Sequence, residues 1–124
     1  METLLETLKA LSDKNRLRIV AALSRYEELC ACQITELLQV TGATASRHLS
    51  VLQHAGLLKS RKEGRWIYYR LDPPATADLV FQWLDESFAG SDELQADLII
   101  LDEIVSVTRE DLCRKQRGEA CCPK

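Results

Sequence analysis

The sequence predicts a mainly α fold with one β-hairpin. Three observations carry that expectation. Helical periodicity runs through the first 55 residues and is broken by the tight turn Gln39-Val40-Thr41-Gly42. A strand–turn–strand pattern follows over residues 57–71, bent at Glu63-Gly64. Charge is segregated: residues 47–70 hold six basic side chains (Arg47, Lys59, Arg61, Lys62, Arg65, Arg70) against Glu63, and residues 72–112 hold eleven acids against Arg109.

Glu2 to Leu11 reads as a helix, with Leu4, Leu8 and Leu11 on one stripe. Ser12 or Asp13 can cap a second helix to about Ser24, with Leu17, Val20 and Ala21 inward. A short third helix is expected from about Cys32 to Leu38. Thr41 can cap a fourth, from about Gly42 to Ala55, which Gly56 stops. The hairpin arms are Leu57 to Lys62 and Arg65 to Leu71. Asp72-Pro73-Pro74 opens a helix of about residues 75–88. Gly90-Ser91 starts the last one, expected over about residues 91–117. Leu94, Leu98, Leu101, Val105 and Leu112 form a heptad-like seam there, expected to dimerise the chain, with a short cysteine-containing tail beyond it.

Short helix, tight turn, longer helix and basic hairpin is the order of a winged helix-turn-helix, in which the second helix of the pair enters the major groove. At 124 residues the chain has the size of one domain, expected to span residues 1–124. Its longest aliphatic run, Leu98-Ile99-Ile100-Leu101, is far short of the ~20 residues that span a bilayer. The acidic, amphipathic start lacks the features of a signal peptide, so no membrane association and a cytoplasmic location are expected.

The net charge of -3 does not by itself point to nucleic acid. A local basic block can nevertheless meet phosphates while an acidic body stays off the DNA. On the fourth helix, Ala45, Leu49 and Leu52 share an inward face. The opposite face carries Ala43, Arg47, Ser50 and His54, flanked by Thr44 and Ser46. Small residues admit the helix to base edges, Arg47 reaches guanine or phosphate, and Ser46 and Ser50 can donate to phosphates. A plain solvated face reads equally well on this helix alone; the hairpin tips the balance. Arg61, Lys62 and Arg65 surround Gly64, where a wing would meet phosphates. Trp66, Tyr68 and Tyr69 read as strand packing. His48 borders the apolar face and reads either as a packed residue or as a phosphate contact.

The motifs Glu28-Leu29-Cys30-Ala31-Cys32, Ser46-Arg47-His48-Leu49, Ala55-Gly56-Leu57-Leu58 and Arg61 to Leu71 resemble the ArsR/SmtB family of metal-sensing repressors. Leu11-Ser12-Asp13 with Arg16-Leu17-Arg18 is similar to that family's second-helix opening. The resemblance covers roughly residues 5–88. It implies a homodimer that binds a palindromic operator when free of its ion and leaves on binding it. Cys30-x-Cys32 resembles the As(III)/Sb(III) sensors and also the Cd(II)/Pb(II) sensors. The former often add a third cysteine where this chain has Thr35, and the latter add N-terminal cysteines that this chain lacks. The zinc-type branch needs His after the wing, and there is none after His54.

Five cysteines, odd in number and clustered, suit ligation or redox chemistry better than a disulfide framework in a reducing compartment. Thiolates favour soft ions. Cys30 and Cys32 on a regular helix would point about 200° apart. Ligation is therefore expected to distort the start of the third helix and shift the fourth. A lone Cys30 would read as a small buried apolar residue. Cys113, Cys121 or Cys122 could supply a third sulfur, from either subunit, or the Cys121-Cys122 pair could form a second site or a plain tail. A thiol redox switch would use the same residues. A thiol enzyme is disfavoured: there is no Cys-x-x-Cys, and Glu27-Glu28 precedes Cys30. The basic wing argues against a pure adaptor.

Overall fold

The computed structural model of the chain describes residues 2–108 and 110–112. Six α-helices surround a small antiparallel sheet: α1 Glu2–Leu11, α2 Lys14–Arg25, β1 Leu29–Cys30, α3 Ala31–Leu38, α4 Gly42–His54, β2 Leu58–Glu63, β3 Trp66–Leu71, a 3-10 turn Ala75–Ala77, α5 Asp78–Ala89 and α6 Asp92–Val105. The expected winged helix-turn-helix order is present.

Capping side chains set the helix starts. Asp13 accepts from the Arg16 N–H at 3.1 Å, Thr41 from Thr44 at 3.1 Å and Ser91 from Leu94 at 3.2 Å. Gln39 ends α3 in the left-handed region at φ 56°, its Nε2 donating to the Glu36 carbonyl at 2.7 Å. That reversal lays α4 across α3.

The sheet order is β1-β3-β2. Strands β2 and β3 pair from Leu58↔Leu71 to Glu63↔Trp66, leaving Gly64-Arg65 as a two-residue loop. Gly64 has φ 64°, the conformation a tight hairpin asks of its first loop residue. The bend thus sits one residue later than the sequence reading put it. Strand β1 was not foreseen. It pairs Leu29 with Tyr69 and Cys30 with Tyr68, and two residues are too few for a periodic signal.

The core gathers Ile19 and Val20 from α2, Leu29 and Ile34, Leu49 and Leu52 from α4, Leu57, and Leu101 from α6, all fully or almost fully buried. The α6 seam differs from expectation in two ways. The helix stops at Val105, where the Ser106 hydroxyl donates to the Glu103 carbonyl at 2.6 Å and competes with helical pairing. A separate turn begins at Thr108, whose hydroxyl accepts from the Asp111 N–H at 3.2 Å. The seam also turns inward. Leu101 is wholly buried, Leu112 nearly so, and Leu94, Leu98 and Val105 pack on the same core. Amphipathic spacing alone does not say whether a stripe meets its own domain or another. The exposed apolar side chains lie elsewhere: Leu4, Leu5 and Leu8 on α1, Leu79 and Trp83 on α5, and Ile99 and Ile100 on α6.

Arg18 ties three helices together. Its Nε donates to Asp97 of α6 at 2.7 Å, and one Nη donates to the Leu37 carbonyl at the end of α3 at 3.1 Å. Arg25 and Tyr26 both donate to Asp102, closing the other end of the α2–α6 contact. Their hydrogen bonds hold the Asp102 carboxyl below the usual range, the Tyr26 hydroxyl contributing most.

Candidate DNA interface and thiol site

Helix α4 presents its two faces as its periodicity requires. Ala45, Leu49 and Leu52 are buried, and Ser46, Arg47 and Ser50 are exposed. Thr44 is half-buried and shares a 3.0 Å hydroxyl contact with Thr41, so it builds the helix start. His48 is placed inward: its side chain is 14% exposed, its Nδ1 lies 3.2 Å from an Arg16 Nη and 3.9 Å from Asp13. Its surroundings are those of a packing residue. Arg16 also donates through Nε to the Ala10 carbonyl at 2.6 Å, fastening the end of α1 beside α4. An open groove runs there, lined by Lys9, Arg16, Arg47, Val51 and His54. Lys9 and Arg16 were not among the expected interface residues.

At the hairpin, Lys62 and Arg65 are exposed at or beside the bend. Neither has a carboxylate within ion-pair distance among the described residues, and the Arg65 guanidinium stacks 4.9 Å from the Trp66 ring centre. Arg61 differs. Its Nε and one Nη grip both oxygens of Glu28 at 2.6 and 2.8 Å, and its other Nη donates to Glu63 at 2.7 Å. It also lies 4.6 Å over the Tyr68 ring. The guanidinium holds the Glu28 carboxyl below its ordinary value, and the two carboxylates hold Arg61 more firmly protonated. The sequence reading named Glu28 only in the motif before Cys30 and did not foresee its pairing with Arg61, which lies 33 residues away.

Cys30 and Cys32 are both completely buried. Cys30 stands at the N-cap of α3 with extended backbone, φ -75° and ψ 150°, while Cys32 lies in the first helical turn. Their sulfurs are 3.2 Å apart, and Cys30 is itself disulfide-bonded in this structure. The Cys30 N–H donates to Gln33 Oε1 at 2.8 Å, fixing the strand-to-helix corner. The expectation that two sulfurs at this spacing diverge, and that α3 must unwind to join them, is corrected here. Only Cys32 is helical, so the 200° argument does not apply to the pair. At the expected third-cysteine position, the Thr35 hydroxyl donates back to the Ala31 carbonyl at 2.8 Å. Cys113, Cys121 and Cys122 lie outside the described residues. Among the described residues no group of three or more His, Cys, Asp or Glu side chains is placed to hold an ion.

Residues 13–60 match the bacterial regulatory protein, arsR family. The arsenical resistance operon repressor of Escherichia coli (strain K12) is 40% identical over 91 residues, 72% of this chain and 75% of that protein. The chain belongs to the arsR family. It is also 40% identical over 82 residues to the arsenic resistance transcriptional regulator ArsR1 of Pseudomonas putida, covering 66% of this chain and 60% of that one. It is 43% identical over 75 residues to a cadmium resistance regulatory protein CadC homolog of Staphylococcus aureus, covering 60% and 62%. The chain thus spans about three-fifths of the length of these last two relatives. Among solved structures, HlyU from Vibrio cholerae N16961 is similar, with a TM-score of 0.63 at 25% identity over 71% of this chain and 94% of that one. The transcriptional repressor PagR of Bacillus anthracis gives 0.56 at 29% over 66% and 93%. These likenesses agree with the winged helix-turn-helix fold and with a regulatory rather than an enzymatic chain.

Proposed function

We propose that the chain is a homodimeric transcriptional repressor that binds operator double-stranded DNA and leaves it when Cys30 and Cys32 capture As(III) or Sb(III). The observation that carries this reading is the buried sulfur pair at 3.2 Å, on the first turn of the helix against which α4 packs. Once the Cys30 disulfide is reduced, the two side chains would offer soft thiolate donors. That separation lets both sulfurs reach a single ion. The arsenic resistance relatives support As(III) or Sb(III), and the cadmium resistance relative keeps Cd(II) or Pb(II) as an alternative inducer. A third sulfur would come from Cys113, Cys121 or Cys122. Leu112, next to Cys113, is buried in the same core as Cys30 and Cys32. Ion-driven movement of the β1–α3 corner would displace α4 and the wing without unwinding α3.

In the complex, Arg47, Ser46 and Ser50 would face the major groove, and Lys62 and Arg65 the flanking phosphates. The exposed α1 and α5 side chains Leu4, Leu5, Leu8, Leu79 and Trp83 suit the partner subunit. No described helix is long and apolar enough to cross a membrane. A DNA-binding role supports a cytoplasmic location.

The test is operator release measured by fluorescence anisotropy against arsenite, antimonite, Cd(II), Pb(II) and Zn(II), with the reduced wild type and a Cys30→Ser/Cys32→Ser variant. Release by arsenite and antimonite, lost in the variant with operator affinity kept, supports the reading. Release by arsenite in the variant moves the site elsewhere. Release by peroxide and not by ions makes the chain a redox sensor.

A further inference from the structure

Helix α1 turns Thr7, Ala10 and Leu11 into the core and Leu4, Leu5 and Leu8 outward. A third side, carrying Glu6 and Lys9, lines the open groove against α4. The opposite wall is the edge of the reading helix, with Arg47, Ser50 and His54, and the more buried lining is apolar, from Ala10, Val51 and Ala55. Lys9 and Arg47 are exposed, and neither has a carboxylate within ion-pair distance among the described residues. A helix C-terminus ordinarily aims free carbonyls and partial negative charge outward. Here the Arg16 guanidinium covers that end of α1, donating to the Ala10 carbonyl at 2.6 Å and to the Lys9 carbonyl at 3.4 Å. The groove lining is left with three cations, Lys9, Arg16 and Arg47, against the single acid Glu6.

A helix about 10–12 Å across fills a major groove about 12 Å wide. The elements flanking that helix therefore meet the phosphate backbones at the two rims of the groove. One flank of α4 is β2, where Gln53 Nε2 donates to Ser60 at 3.1 Å. Val51, which faces α1, is two residues from Gln53 and so about 200° round the helix. Helix α1 thus flanks the other edge of the reading face.

We propose that the groove between α1 and α4 receives the sugar–phosphate backbone of operator DNA on the edge away from the wing, with Lys9 as a phosphate contact. The inference rests on the DNA-binding reading above and enlarges its surface. Lys9 and Arg47 reach phosphates from the two walls, and Ala10, Val51 and Ala55 pack against deoxyribose. Arg16, already spent on carbonyls and on His48, holds the end of α1 against α4. The contact reads no base, so it adds affinity to every sequence alike.

The experiment compares wild type with Lys9→Gln, Glu6→Gln and, as a control, Lys14→Gln, each as reduced full-length protein. Lys14 is an exposed cation outside the groove, paired with Glu93 of α6 at 2.5 Å. Affinity for an operator duplex and for an unrelated duplex of equal length is measured by anisotropy at salt concentrations from about 50 to 200 mM. Lys9→Gln should weaken both duplexes alike and lower the slope of log affinity on log salt by about 0.9 for each subunit bound. The wild-type advantage should then shrink about threefold per subunit across that range. Glu6→Gln should bind both duplexes more tightly, a change in the opposite direction that a damaged fold cannot give. Lys14→Gln should match wild type. A second arm replaces single operator phosphates with neutral methylphosphonates. One position at the rim of the major groove should weaken wild type and leave Lys9→Gln unchanged, which identifies the phosphate that Lys9 meets. Wild-type slope and affinity in Lys9→Gln overturn the proposal, as does an equal loss in Lys14→Gln or additive losses at every phosphate. If wild type binds neither duplex, the DNA-binding reading fails and the proposal falls with it. If wild type binds and Lys9→Gln matches it, only the groove contact is lost.

Discussion

Cys30 and Cys32 bring their sulfurs to 3.2 Å from two different kinds of backbone, one extended and one helical. Both are fully buried, so reagents reach them only after the β1–α3 corner opens. Local opening that costs about 3 kcal/mol slows modification about a hundredfold. Iodoacetamide labelling of reduced protein, read by mass spectrometry, should therefore be about a hundred times slower at these two positions in buffer than in urea. Arsenite should slow it further. Equal rates in buffer and urea would mean the corner is already open.

Arg18 and Asp97 form the most enclosed ion pair among the described residues, with side chains 19% and 13% exposed. Asp97→Ala leaves a guanidinium with lost partners between α2 and α6 and should cost on the order of 2 kcal/mol in urea unfolding. It should also loosen the end of α3, since Arg18 holds the Leu37 carbonyl. Faster amide exchange at the α3–α4 turn is the accompanying readout.

Leu101 separates the two readings of the α6 seam. It is wholly buried in its own subunit, so Leu101→Ala should cost about 2–5 kcal/mol of folding stability at any protein concentration. Trp83→Ala removes an exposed side chain on α5 and should leave stability at high concentration nearly unchanged. If the apolar α1 and α5 surface meets a second subunit, it should weaken dimerisation in sedimentation experiments. The opposite pattern would return the interface to the seam.

Arg47 and Arg65 should lose DNA binding in different ways. Arg47→Ala on the exposed face of α4 should cost about 1–3 kcal/mol and relax base preference. Arg65→Ala at the wing bend should weaken all sequences alike and lower the salt slope by about 0.9. His48→Ala should instead lower folding stability, because His48 packs against Arg16 and Asp13.

The Glu28–Arg61 pair gives acid stability a definite sign. Arg61 holds the Glu28 carboxyl below its unfolded value. Its contribution is therefore complete above about pH 4.3 and fades as pH falls through the lower folded value. The pair is partly exposed, so solvent screening keeps the effect small. Wild type should exceed Glu28→Gln near neutrality, and the gap should close in acid. A gap that widens in acid would contradict the assignment.

The sequence by itself determined the helix starts at Thr41 and Ser91 and narrowed that of α2 to Ser12 or Asp13, because a capping side chain is a local signal. It determined the order of the helices and the hairpin and the two faces of α4, because periodicity of 3.6 and of 2 is written in neighbouring residues. It marked Cys30 and Cys32 as a pair. The tertiary structure decided what depends on partners distant in sequence. It turned the Leu94-to-Val105 seam inward, because the core left by α2, α3 and α5 accepts that stripe. It placed Cys30 in a strand, because β1 pairs with a strand some 38 residues later. It made Glu28 the partner of Arg61 across 33 positions. No local pattern encodes such a contact; only the register of the sheet sets it.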